Sequence, residues 1–214
     1  MSLLSSLPSW MLDARISLVA GLCSGGLWVA RAHARDVDAG TFVSVIRKII
    51  ASGDVPRAIK ITDAGHAMPL CAATKAAILA SVRLGAPERA AQGGYRGRSD
   101  AARALLLPEI FLDYDAAFRN AAAPLGQALL FAVPSPFLIL FAVAVSLDER
   151  SPTAFSWVVV VAALAMLALV YAGFCHLRIV LSRETVFRQL APLFEQIARD
   201  GGRAVEARER TIAT

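Results

Sequence analysis

The sequence predicts an all-α integral membrane protein: three transmembrane helices, a helical cytoplasmic segment, and a long third helix extending into the cytoplasm. Two runs without Asp, Glu, Lys or Arg predict a membrane hairpin: 28 residues between Arg119 and Asp148, and 27 between Arg150 and Arg178. A helix needs about 20 apolar residues to cross hydrocarbon about 30 Å thick, and both runs exceed that. Only Asp148, Glu149 and Arg150 separate them. The basic residues predict the orientation. Of 22 Lys and Arg, 13 lie from Arg31 to Arg119 and 7 from Arg178 to Arg210. Basic flanks mark the cytoplasmic side of a span, so both large polar segments are expected in the cytoplasm.

Composition agrees, with 57% hydrophobic residues, a mean hydropathy of +0.56 and 18% charged residues. A soluble domain is nearer a quarter charged. The net charge of +5 does not make a nucleic-acid surface, because the basic residues alternate with acids, 13 against 9 in the middle segment and 7 against 5 in the tail. They read as topology determinants and solvated helix faces. Cys23, Cys71 and Cys175 are far apart, without a Cys-x-x-Cys and without a histidine at metal-ligand spacing, so neither a disulfide framework nor a metal site is expected. No cofactor motif is present.

The first span is expected within residues 1–32. Ile16 to Ala30 is an uncharged run of 15 residues closed by Arg31, His33 and Arg35. A signal peptide would begin with a basic segment, whereas the first twelve residues carry no charge and the cluster Arg31, His33 and Arg35 follows the apolar stretch. Trp10, Asp13 and Arg15 are expected at the outer interface. Gly21, Gly25 and Gly26 would let another helix approach closely.

Residues 33–119 form the expected cytoplasmic segment. Phe42, Val43, Val45, Ile46, Ile49 and Ile50 repeat at helix spacing and stop at Ser52-Gly53. Asp54 caps a second short helix with Pro56 in its first turn, and Gly65 ends it. Met68-Pro69 opens a third helix through Leu70, Ala73, Ala77, Ile78 and Val82. Gly93 to Arg98 lacks the spacing of a phosphate loop and reads as a connector. A helix resumes at Ser99, with Leu105, Leu106, Phe111, Leu112 and Phe118, and Pro108 should bend it. It leads into span two, residues 120–147, in which Pro134-Ser135-Pro136 predicts a kink. After a loop at 148–153, span three occupies 154–181 and a helical tail 182–214. With no glycine but Gly173 before Gly201-Gly202, one helix of about 70 Å is expected, possessing a glycine cap and a kink at Pro192.

This order of spans resembles the MotA/TolQ/ExbB proton-channel family, most closely its three-span TolQ/ExbB-like branch. Phe42 to Ala58, read as helix, Gly-Asp, helix, is similar to the family's cytoplasmic pattern. Met68-Pro69-Leu70 sits where the family has a small-residue helix begun through a proline. Ala122-Ala123-Pro124-Leu125-Gly126 is similar to the family's Ala-Pro-Leu-Leu-Gly opening of span two. The sequence departs from the family where Gln127, Ala128 and Leu129 replace its Gly-Thr pair. It departs again where Val158 to Val170 holds no polar residue.

The resemblance implies a homo-oligomeric ring, a pentamer, around a single-span ExbD/TolR/MotB-like partner that supplies the proton-binding aspartate. It implies an inner-membrane stator that couples proton or other ion flow to mechanical work on an envelope component. A non-conducting membrane scaffold of the same architecture is the alternative. Spans two and three carry no acidic or basic side chain between their flanks, and an intramembrane charge normally marks an ion path. Four residues remain as pore-lining candidates. Gln127 can line a pore or bond another helix. Ser135 can hold water or satisfy a kink. Tyr171 suits a pore or an interfacial belt, and His176 is a titratable group near the inner end of span three. Catalysis is not expected: Asp113 and Asp115 are two apart on a helix and cannot pair, and no nucleophile motif occurs.

Overall fold

The computed structural model describes residues 14–85, 106–146 and 152–200. Among the described residues the chain is helical throughout and holds no strand. Seven helices follow in order: α1 (Ala14–Ala34), α2 (Ala39–Ala51), α3 (Val55–Ala64), α4 (Pro69–Gly85), α5 (Leu106–Ala132), α6 (Ser135–Ser146) and α7 (Pro152–Asp200). They divide into two compact units. One comprises the described part of Met1–Asp36 together with Ala123–Leu177; the other comprises Val37–Ala122 and Arg178–Thr214, again in their described parts.

In the second unit, local chemistry fixes the helix ends. Asp38 caps α2 by accepting from the Thr41 N–H at 2.8 Å. The α2 face of Phe42, Val43, Ile46 and Ile50 is buried. The chain turns out of α2 through Gly53, whose φ of +78° suits a residue without a side chain. Asp54 then caps α3 by accepting from the Arg57 N–H at 3.2 Å. Gly65 closes α3, and a Cβ there would lie 2.7 Å from the Cys71 sulfur of α4. Helix α4 is buried nearly all round, through Leu70, Cys71, Ala73, Thr74, Ala77 and Ile78 among others.

Leu106, Ile110, Tyr114 and Phe118 of α5 repeat every fourth residue and are buried, which is one helix stripe. Phe187 of α7 packs edge-on to Phe111 at 4.8 Å and lies 5.2 Å from the Tyr114 ring. The Tyr114 hydroxyl donates to the Arg183 carbonyl at 2.9 Å. Asp113 and Asp115 diverge: the first meets Arg83 of α4, the second Arg183 of α7 and Arg119 on its own helix, each at 2.7 Å.

Four prolines bear on the sequence expectations. The helix expected to bend at Pro134-Ser135-Pro136 is interrupted there: α5 ends at Ala132 and α6 starts at Ser135. Neither proline can continue the ladder, and the break uses both. Pro108 is the third described residue of α5. Pro192 leaves α7 continuous. The helix resumption at Ser99, the connector at Gly93 to Arg98, Trp10, Asp13 and the cap at Gly201-Gly202 lie outside the described residues.

Among the described residues two stretches, not three, are long and apolar enough to cross a membrane: Leu106–Ser146 and Ser156–Arg199. Helix α1, whose uncharged run between Arg15 and Arg31 is 15 residues, is not one of them. Only 28% and 22% of the two apolar windows are buried within the chain. The core helix of a soluble protein would be mostly buried. Instead Leu130, Phe131, Phe137, Leu140, Leu164 and Val170 are each more than half exposed.

The ion pair between Lys75 and Asp63 gives the second unit an acid-sensitive contact. Hydrogen bonding and attraction from the Lys75 ammonium hold the Asp63 carboxyl below its ordinary value. A value lower in the folded than in the unfolded chain stabilises at neutral pH, and the contribution disappears as pH falls below about 4. Lys75→Met should therefore lower the melting temperature at pH 7, and the gap to the native chain should close in melts taken towards pH 3.

Candidate functional site in the apolar unit

The first unit is organised around two glycines of α1. A Cβ on Gly21 would lie 2.8 Å from Ile139 Cγ1 and 3.2 Å from the Ser135 carbonyl of α6. A Cβ on Gly25 would lie 2.6 Å from Ser135 Oγ and 3.0 Å from Leu169 Cδ2 of α7. Four residues apart, the two glycines form a smooth strip against which α6 packs backbone to backbone. The buried Ser135 hydroxyl donates to the Gly21 carbonyl at 2.7 Å. Leu18, Ile139, Ala142, Val158 and Ala162 close the core beside this contact.

The contacts also give directions. Along α1, Gly21, Gly25 and Arg31 meet Ile139, Ser135 and the Pro124 carbonyl in turn, so α1 runs antiparallel to α6 and the end of α5. On the other side Gly25 meets Leu169 and Trp28 meets Gly173, so α1 runs parallel to α7. Gly26 faces open space. With Gly21, Gly25, Ala30, Ala165 and Ala168 it lines an apolar cleft of about 230 Å³.

The four sequence-predicted residues do not converge. Ser135 lies at the cleft, with its hydroxyl bonded to Gly21. Gln127 is exposed on the α5 face shared with Leu130 and Phe131, three and four residues on. Tyr171 is partly exposed, and its hydroxyl lies 3.2 Å from His33 Nδ1. His176 faces Trp28, with ring centroids 6.5 Å apart. Sequence reading missed His33 and Trp28. The available signal was that α1 and α7 each carry one histidine within five residues of an aromatic, Trp28 with His33 and Tyr171 with His176, and each histidine meets the other helix's aromatic.

Among the described residues no three His, Cys, Asp or Glu side chains cluster closely enough to hold a metal ion. Cys71 is buried, and burial pushes its thiol above the ordinary value, which suits a packing role. No family model, curated protein or solved structure matches the chain.

The glycine strip makes an uneven prediction. Gly25→Ala should destabilise the chain in detergent by about 1–3 kcal/mol through overpacking. Gly26→Ala, which meets open space, should be neutral or stabilise by up to about 1 kcal/mol. Ser135→Ala should partly rescue Gly25→Ala, because it removes the atom that the new methyl meets first. A double-mutant cycle by thermal unfolding reads that coupling.

Proposed function

We propose that this chain is a multi-pass inner-membrane subunit of the stator type. In this reading its apolar unit crosses the bilayer three times, with the N-terminus outside and the C-terminus in the cytoplasm. It assembles as a homo-oligomer, a pentamer on the family resemblance. It holds a single-span ExbD/TolR/MotB-like partner and couples ion flow to work on an envelope component.

The observation that carries the three spans is the seating of Gly21 and Gly25 on Ser135 and Ile139. These contacts fall on the apolar stretch of α6, so a bilayer that receives α6 and α7 receives α1 with them. The parallel course of α1 and α7, with α6 opposed, fits three successive crossings. Arg31 and Arg178 then flank the cytoplasmic ends.

The division of labour follows from charge. From Ala154 to Val170 span three has no ionisable side chain, and span two has none at all. A moving charge therefore needs an acid from elsewhere, which the partner provides. The small-residue cleft and the exposed Gln127 are surfaces available to a helix outside this chain. The second reading, a scaffold without conduction, draws on the Ser135 hydroxyl being committed to the Gly21 carbonyl.

Vesicles holding the chain with its co-purified small partner, loaded with a pH-sensitive dye, separate the two. The stator reading expects proton flux that falls at least tenfold in Gln127→Leu. No flux under any driving gradient favours the scaffold. Particle mass in detergent tests both, since a monomer contradicts the assembly that each requires.

A further inference from the structure

The Trp28–His176 pair differs from every other polar contact in the apolar unit. Trp28 is only 8% exposed, and its indole Nε1 is fully buried without a hydrogen-bond partner. His176 Nδ1 is likewise buried and unpartnered. The two rings face each other across the α1–α7 seam at 6.5 Å and 56°. Gly173, the one glycine of α7, lies beneath the indole, where a Cβ would meet Trp28 Cη2 at 3.7 Å. The neighbouring His33–Tyr171 pair bonds directly.

We propose that Trp28 Nε1 and His176 Nδ1 together bind one water molecule, a hydroxyl site built into the α1–α7 seam. Buried polar groups are rarely left unpaired, and here two occur on facing rings. The chemistry of the pair restricts the occupant. An indole N–H only donates, so the occupant must accept, which excludes a cation. An anion would need both nitrogens to donate and would bury a charge without a counter-ion. A neutral hydroxyl suits either imidazole tautomer, accepting from the indole and either donating to Nδ1 or accepting from it. Both nitrogens are closed to solvent, which favours an occupant as small as water.

The site places an exchangeable proton beside an imidazole, just below the apolar Val158–Val170 stretch of α7. It also ties the inner half of α1 to α7, one turn beyond the Gly25–Leu169 contact. If the chain conducts, His176 and its water are a proton-transfer point supplied by this subunit itself. That consequence rests on the stator reading; the water site does not.

Water-edited solid-state NMR on the full chain in lipid vesicles, with ¹⁵N-labelled Trp and His, tests the site directly. Early magnetisation transfer from water to the Trp28 indole nitrogen is expected, against none at the Leu18–Ile139 core. His176→Phe should lose the early indole transfer, and His176→Gln, which keeps hydrogen-bonding capacity at that place, should retain it. A Trp28 indole as slow as the core in the native chain overturns the proposal. So does transfer that persists unchanged in His176→Phe. Flux assays do not enter this readout, so failure of the site and failure of the stator reading remain distinct.

Discussion

The apolar unit depends on the closeness of α1 to α6 at Gly21 and Gly25. Between helices in lipid there is little hydrophobic drive, because the tails are as apolar as the side chains they would replace. Association must come from van der Waals contact and hydrogen bonds, and both need backbones that approach closely. The two glycines permit the approach, and Ser135 bonds across it at 2.7 Å. A side chain on Gly21 would meet Ile139 and the Ser135 carbonyl, and one on Gly25 the Ser135 hydroxyl and Leu169.

In the membrane reading proposed above, that contact also gives so short a helix its place beside α6 and α7. With 15 uncharged residues α1 is a poor span alone, and its length and hydropathy do not mark it as one. Packing against α6 and α7 substitutes contact surface for length. Arg31 reaches the Pro124 carbonyl at 3.3 Å, which gives the charge at its inner end a protein partner. The polar pairs of the seam, His33 with Tyr171 and Trp28 with His176, all lie at this same end. Away from that end, the buried polar side chains are the serines Ser17, Ser135 and Ser146 among apolar neighbours.

Legibility followed the range of the interactions. Asp54, Gly53 and Gly65 could be read from sequence because a cap or a left-handed turn is decided within four residues. The apolar runs were legible because charge placement is a one-dimensional property. Rotation about the helix axis was not. Helix α6 and the Val158–Val170 stretch of α7 are apolar all round, so nothing in their sequences says which face meets α1. Gln127 therefore looked as suited to a pore as Ser135, yet one is exposed and the other buried. Proline posed a similar problem. Pro124 and Pro192 sit inside continuous helices, whereas Pro134 and Pro136 flank a break. Which of these happens depends on whether tertiary contacts hold the next turn, as Gly21 and Gly25 hold Ser135.

The central claim is that α1 lies in the bilayer as the third member of the apolar unit. Spin labels at Val19 of α1, Leu140 of α6 and Leu164 of α7 test it, each on an exposed apolar position in a chain whose native cysteines are replaced by alanine. Collision with dissolved oxygen and with a water-soluble nickel chelate is measured in vesicles by electron paramagnetic resonance. The account predicts that all three labels meet oxygen freely and the chelate hardly at all. A Val19 label that collides with the chelate as readily as one at exposed Arg188 would contradict it.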